Sequence, residues 1–133
     1  MALAVAVLCV VVTGTAACTL STVDGGDSAI SVVTYQRRGD DGDTAELTGV
    51  LTAVNGCLVV RADGTTTLVY FPEDQVEQAT GETIWLFGRR YRLGDTVTFG
   101  GGYYRIEGAN IPEECQQAML AGTVFTASSV YVP

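Results

Sequence analysis

Residues 46–71 read ELTGVLTAVNGCLVVRADGTTTLVYF, and this stretch decides the fold. Asn55-Gly56 and Asp63-Gly64 divide it into three apolar segments. Both dipeptides tolerate the positive φ angles of tight hairpin turns. Apolar and polar residues alternate before the first turn, which is typical of a strand buried on one face, and the apolar run at 58–60 indicates a strand covered on both faces. The stretch therefore predicts a three-stranded meander.

Length and composition bound what surrounds this meander. The chain has 133 residues, enough for one domain of ordinary size with a short extra segment, and 47% of them are hydrophobic, enough for a core. The formal net charge is −8, and the chain contains neither lysine nor histidine. The absence of histidine excludes Ser-His-Asp and Cys-His catalysis and removes the commonest metal ligand.

The N-terminus has the pattern of a targeting segment. Residues 1–12 are almost entirely Ala, Val and Leu. A run of about 11 apolar residues is too short to span a membrane and suits a signal-peptide core. The run leads to Thr15-Ala16-Ala17-Cys18, whose small residues before a cysteine resemble the lipobox of bacterial lipoproteins, although Thr15 stands where Leu or Val is usual.

This resemblance covers about the first 20 residues and implies an address rather than an activity. It implies that residues 1–17 are a signal peptide, that Cys18 carries the lipid, and that the protein is anchored on the extracytoplasmic face of the bacterial cell membrane. Two alternatives stay open: a cleaved, secreted protein, and an uncleaved anchor that reaches Leu20.

Residues 18–43 are rich in Ser, Thr, Gly and Asp, a composition that predicts a solvated tether between the lipid and the domain. An apolar interruption at residues 30–35 is a candidate edge strand. The acidic run at residues 40–43 lacks the spacing of an EF-hand loop, so no metal site is predicted there.

The cysteines predict one disulfide. Cys9 leaves with the signal peptide and Cys18 takes the lipid, so Cys57 and Cys115 remain as an even pair in an oxidising compartment. Two cysteines without histidine are too few for a structural zinc site.

Turn and helix signals divide the rest of the chain. Pro72 followed by two acids predicts a short helix that ends before Gly81, and Pro112 followed by Glu113 and Glu114 predicts a second helix that carries Cys115 and ends at Gly122. The glycines at 100–102 predict a barrel corner or close backbone approach rather than a ligand cradle. Predicted strands occupy residues 84–87, 90–93, 96–99, 103–106 and 124–132.

The strand order and turn spacing of residues 44–133 resemble an OB-type barrel, most closely in the meander at 49–71 and the segment 93–100. The resemblance implies a mostly-β fold, a small OB-like five- to seven-stranded antiparallel barrel with one or two short helices. The helix that carries Cys115, before the last strand, departs from the simplest version of that fold.

Charge and chemistry narrow the function classes. Many OB-type barrels bind single-stranded nucleic acid through basic grooves, but residues 44–133 hold ten acids against five arginines, so no nucleic-acid partner is predicted. Adjacent Glu113 and Glu114 could serve a secreted or envelope-associated hydrolase that uses carboxylates, yet acids at a helix start more often stabilise the helix dipole. We therefore expect no catalytic residues and no cofactor, and favour a tethered binding or structural module. Its partner would be an envelope protein, a cell-wall glycan or a small ligand.

Candidate partner-binding residues cluster in one hairpin. Arg89, Arg90, Tyr91 and Arg92 form the one basic cluster of the predicted domain, and Trp85 and Phe87 precede them. Arginines beside aromatic residues are typical of interface anchors. Two further candidates, Tyr103 and Tyr104, follow the triple glycine. The alternative is that Trp85 and Phe87 are core residues and that the arginines blunt an exposed edge strand.

Overall fold

The computed structural model describes residues 30–37, 44–80 and 82–132. The predicted signal peptide, the predicted lipidation site Cys18 and residues 18–29 and 38–43 of the predicted tether lie outside these ranges. Among the described residues, no helix is both long and apolar enough to cross a membrane.

Within these ranges the chain forms nine strands, one 3₁₀ turn at Glu73–Gln75 and one α-helix. In chain order, the elements are β1 Val33–Tyr35, β2 Ala45–Val54, β3 Cys57–Ala62, β4 Thr65–Pro72, β5 Val76–Thr80, β6 Thr83–Leu86, β7 Arg89–Arg92, β8 Thr96–Gly102, α1 Glu113–Ala121 and β9 Thr123–Val130.

The predicted meander is confirmed as β2, β3 and β4, paired antiparallel in sequence order. Both predicted turns adopt left-handed backbone angles, with φ of 53° at Asn55, 82° at Gly56, 50° at Asp63 and 78° at Gly64. Asn and Asp tolerate this conformation better than other residues with a Cβ, so the local chemistry fixes both turns.

The meander grows into a closed barrel. The larger sheet has the order β9-β8-β2-β3-β4-β1, and β9 also pairs with β4, which closes a ring of five strands. The predicted small, mostly-β OB-like barrel is confirmed. One detail differs from the antiparallel expectation, because β4 and β9 run parallel. The chain between them, residues 73–122, is long enough for the crossover that a parallel pair requires.

The barrel interior is filled by apolar side chains of the five strands and of the smaller sheet, which has the order β5-β6-β7. Phe71 and Phe99 meet edge to face at its centre, with ring centroids 5.2 Å apart. Ile84 and Leu86 of β6 are fully buried against the same cluster. The smaller sheet is therefore anchored to the barrel by its inward face.

A second apolar cluster lies outside the barrel, over β3 and β4. Its buried members are Val33, Tyr35, Cys57, Val59, Leu68, Tyr70, Cys115 and Val124. The predicted disulfide between Cys57 and Cys115 is confirmed, with a Cα–Cα distance of 5.1 Å, and it ties α1 to the start of β3. Both cysteines are completely buried.

The segment 30–37 packs into both clusters, with Ile30 in the barrel core and Val33 and Tyr35 in the second cluster, which corrects this part of the predicted tether of residues 18–43. The candidate edge strand is confirmed as β1, which pairs in parallel with the end of β4. Ser31 also exchanges main-chain hydrogen bonds with Gly56 and Leu58. Tyr35 is buried, and its hydroxyl donates to the Ala127 carbonyl at 2.7 Å.

The predicted helix over residues 72–80 is wrong beyond its first turn. Pro72 and the two acids start only the 3₁₀ turn, and the chain then enters β5, which pairs with β6. Pairing with a neighbouring strand overrides the local helix signal. The second predicted helix is confirmed as α1, with Cys115 in its first turn.

The predicted strand at residues 103–106 is absent from the described fold. Instead, the Tyr103 ring packs edge-on against Phe125, with centroids 4.9 Å apart. The Thr126 hydroxyl donates to the Tyr104 carbonyl at 2.7 Å. These side-chain contacts replace the strand pairing that was expected for residues 103–106. The last strand also ends earlier than predicted, at Val130.

The triple glycine marks a close approach of β8 to β9, as predicted. A Cβ atom on Gly101 would collide with the main-chain carbonyl of Thr126, and one on Gly100 would lie 2.7 Å from the Ser129 hydroxyl oxygen. The β8–β9 register shifts between Ala127 and Ser129, beside these glycines. Side chains at either glycine would therefore force the two strands apart.

Candidate functional site

The arginine-bearing hairpin consists of β6 and β7, joined by a two-residue turn. Phe87 and Gly88 form the turn, with φ of 54° and 75°. The register pairs Ile84 with Tyr91 and Trp85 with Arg90. Since Ile84 is fully buried, alternation directs Trp85 and Arg90 to the opposite, exposed face.

This exposed face has an aromatic centre with charged neighbours. Trp85 lies in register with Glu77 of β5 on one side and Arg90 of β7 on the other. Its side chain is 40% exposed, although tryptophan is usually highly buried. Arg92 pairs with Thr83 and projects from the same face. We call Glu77, Trp85, Arg90 and Arg92 the outer face of the hairpin.

The core alternative is correct for Phe87 and wrong for Trp85. The Phe87 ring turns inward and meets Phe71 and Phe99, with centroid distances of 6.3 and 6.2 Å. Phe87 lies in the turn and has a positive φ. Trp85, the one aromatic residue of β6, faces solvent. Arg89 and Tyr91 lie on the inward side of β7, where half-buried Tyr91 packs against the barrel core.

A cleft of about 690 Å³ opens between β7 and the barrel. Its residues come from β7, from the strands β2 and β8, and from the chain that follows β9. The lining includes Glu46, Arg89, Tyr91, Thr98 and Tyr131. The volume lies within the range typical of small-ligand sites.

The floor of the cleft is the outer surface of β2 and β8. The hydroxyls of Thr48 and Thr98 lie 2.8 Å apart across the two strands. Glu46 pairs with Gly100, two residues further along each strand. The Tyr131 ring covers that glycine, with its Cε2 3.3 Å from the position that a Cβ on Gly100 would occupy. Glu46 and Tyr131 therefore mark the same end of the floor.

The outer edge of β7 is nearly closed to strand addition. The Arg92 N–H donates to Asp95 Oδ2 at 2.8 Å, and the Arg92 carbonyl accepts the Asp95 N–H at 3.0 Å. Arg89 and Tyr91 direct their main-chain groups toward β6, because hydrogen-bonded pairs alternate along an antiparallel hairpin. In the described part of the chain, Arg90 alone presents a free main-chain edge on β7. Asp95, rather than the arginines of the predicted alternative, closes most of this edge, so binding here depends on side chains.

Tyr103 and Tyr104 do not join the arginine cluster. They follow the end of β8, and neither of them lines the cleft. Tyr103 is 53% exposed, with one edge on Phe125. The six predicted candidates therefore divide into two separate surfaces.

The carboxylates proposed for hydrolysis also lie apart from the cleft. Glu113 and Glu114 begin α1, and the Ser31 hydroxyl donates to Glu114 at 2.8 Å. This hydrogen bond lowers the pKa of Glu114, which favours its ionised form. Glu114 lines a second groove of about 540 Å³, together with Arg61 and Gln117. Among the described residues, no three acids or cysteines gather as a metal site.

Sequence reasoning missed Glu46, Thr98 and Tyr131, which become neighbours only when the barrel closes. Gly100 carried the usable signal, because a glycine in a strand often accommodates a ring from a neighbouring segment.

Comparisons with known protein families, with curated proteins and with solved structures find no match.

Proposed function

We propose that the protein is a lipid-anchored binding module of the bacterial cell envelope, held on the extracytoplasmic face of the membrane, and that the outer face of the hairpin contacts its partner. The observation that carries the proposal is the exposed Trp85 between Glu77 and Arg90. Tryptophan and arginine dominate the binding energy of protein interfaces, since they combine apolar area with fixed hydrogen-bond donors.

The closed opposite side of the barrel supports this choice of surface. OB-type barrels commonly bind ligands on the face of their second and third strands. Those strands are β3 and β4 here, and β1 and α1 cover their outer face. The hairpin side carries both the exposed Trp85 side chain and the cleft of about 690 Å³.

The proposed anchor restricts where a partner can be. Eleven residues, 19–29, separate Cys18 from Ile30, the first described residue. An extended chain of that length reaches about 40 Å. The domain would therefore meet membrane proteins and the adjacent wall glycan before anything more distant.

The anchor is tested by metabolic labelling with a fatty acid. Label is expected in the wild-type protein and is expected to be lost in Cys18→Ala, while Cys9→Ala keeps it. Labelling that survives in Cys18→Ala would refute lipidation at this residue.

The binding face is tested by crosslinking on intact cells with the protein as bait. We expect the double variant Arg90→Ser/Arg92→Ser and the single variant Trp85→Ala each to lower the yield of crosslinked partner several-fold. Arg61→Ser is the matched control, since Arg61 is an exposed strand arginine of the other groove. Unfolding midpoints should agree with wild type, because the replaced side chains are exposed. Equal crosslinking by folded hairpin variants would contradict the proposal.

A further inference from the structure

We propose that the cleft between β7 and the barrel binds an acidic sugar chain, with a carboxylate at Arg89 and a sugar ring on Tyr131. The inference rests on the proposed binding role of the hairpin, because the cleft is the inner side of that hairpin. The residues of the cleft indicate the chemical class of the ligand, which the outer face of the hairpin alone does not indicate.

The charges of the cleft select a ligand that is acidic and also carries hydroxyl donors. Arg89 supplies a planar guanidinium group, which binds a carboxylate with paired hydrogen bonds. Glu46 stands in the same cleft and can only accept hydrogen bonds while it is ionised. A polyanion without hydroxyl donors would be repelled by Glu46. A sugar acid offers a carboxylate to Arg89 and hydroxyl donors to Glu46.

The aromatic and hydroxyl groups of the cleft fit the same ligand. Tyr131 is 48% exposed, and its ring rests against the bare backbone of Gly100, so the opposite ring face is open to a ligand. A tyrosine ring presents an apolar face with a polar edge, which suits the alternating apolar and hydroxyl-bearing surfaces of a sugar. The Thr48 and Thr98 hydroxyls lie on the floor beside it.

A peptide is a poorer occupant. Extended peptides gain most of their affinity by adding a strand to an exposed edge. Asp95 occupies the main-chain groups of Arg92, and Arg90 is the one β7 residue in the described chain whose main-chain edge is free. One residue cannot support a strand ladder. Side-chain recognition, as of a sugar, is the mode that this geometry favours.

The test measures binding to the full-length protein, purified in detergent with its disulfide intact, by isothermal titration calorimetry. The probes are trigalacturonate, the neutral galactose trimer with the same linkage, and triglutamate as an acidic peptide. We expect trigalacturonate to bind, and the other two to bind at least about tenfold more weakly, the loss typical of one charge-assisted hydrogen bond.

Variants locate the site. Arg89→Gln and Tyr131→Ala should each weaken trigalacturonate binding at least about tenfold. Arg61→Gln is the matched arginine control and should bind as the wild type does. The inference is overturned by undetectable trigalacturonate binding, by equal binding of the neutral trimer or the peptide, or by equal losses in Arg89→Gln and Arg61→Gln.

The two proposals can fail separately. If crosslinking on cells depends on Arg90 and Arg92 but trigalacturonate does not bind, the binding module stands and the sugar ligand is wrong. If trigalacturonate binds with the expected variant pattern but crosslinking is unaffected by Arg90→Ser/Arg92→Ser, the cleft stands and the outer face is not the partner surface.

Discussion

The two outer sides of the barrel have opposite character. Over β3 and β4, β1 and α1 bury a second apolar cluster, and a disulfide fastens the cover. Over β2 and β8, the surface carries threonines and Glu46, and a cleft separates this surface from β7. We call these the closed side and the open side.

Because its two sides differ in this way, the barrel fold does not by itself locate a binding face. The strands that commonly carry ligands in OB-type barrels are the ones that this chain covers. A site must therefore be argued from accessible side chains, and those that carry the proposal lie on the open side. The predictions below test how independent the two sides are.

The largest effect is expected from removal of the disulfide. Cys57→Ala/Cys115→Ala should lower the free energy of unfolding by about 4 kcal/mol, because the bond closes a long loop in the unfolded chain. The two cysteines are separated by 58 positions. Urea unfolding of the double variant and the wild type measures the loss. A change below about 1 kcal/mol would mean that apolar packing alone holds the closed side.

A substitution where the closed side meets the open side should lower the free energy of unfolding by nearly as much. Gly101→Ala places a methyl group against the Thr126 carbonyl, where β8 of the open side meets β9 of the closed side. We expect a loss of about 3 kcal/mol, since two main chains cannot both keep their positions. Gly64→Ala is the control, because its turn has open space and only a positive φ of 78°.

Gly64→Ala should lower the free energy of unfolding by about 1 kcal/mol, because a residue with a Cβ is strained in a left-handed turn. Thermal unfolding of both variants makes the comparison. If Gly101→Ala were as stable as Gly64→Ala, the β8–β9 approach would be looser than described.

A smaller effect is expected where β1 meets the barrel. Tyr35→Phe removes the buried hydroxyl that donates to the Ala127 carbonyl, which should cost about 1 kcal/mol. Tyr131→Phe is the matched change on the open side, and we expect it to alter stability by less than about 0.5 kcal/mol, because Tyr131 is exposed. Equal losses in the two variants would remove the energetic distinction between the sides.

The smallest effect concerns the start of α1. Ser31→Ala removes the hydrogen bond that lowers the pKa of Glu114, so that pKa should rise toward its ordinary value. A depressed pKa in the folded state gives stability that is present above the unfolded-state pKa and lost as pH falls through the folded-state pKa. The wild type should therefore lose slightly more stability than Ser31→Ala on acidification. NMR titration of the Glu114 carboxyl measures the shift, and an unchanged pKa in Ser31→Ala would contradict it.

Local chemistry made the hairpins predictable, whereas tertiary pairing did not leave a local signal. Asn55-Gly56 and Asp63-Gly64 specify their turns by backbone preference alone. Residues 76–80 carry no comparable signal, and β6 draws them into a sheet after a proline and two acids had indicated a helix. The candidate site likewise has one part that local sequence predicts and another part that only tertiary pairing assembles. The sequence placed the arginines on one hairpin, but Tyr131 and Glu46 reach the cleft only through the closed register of the barrel.

The parallel contact between β4 and β9 also bears on when the protein can fold. The meander is complete once residue 72 has been synthesised, yet the strand that closes the ring starts at Thr123. Until then, one edge of β4 is open, and unpaired strand edges invite association between chains. A chain exported before it folds would pass this vulnerable interval outside the cytoplasm. Folding speed and yield should therefore depend on how soon Thr123–Val130 arrives after the meander, and chaperones of that compartment would act in this interval.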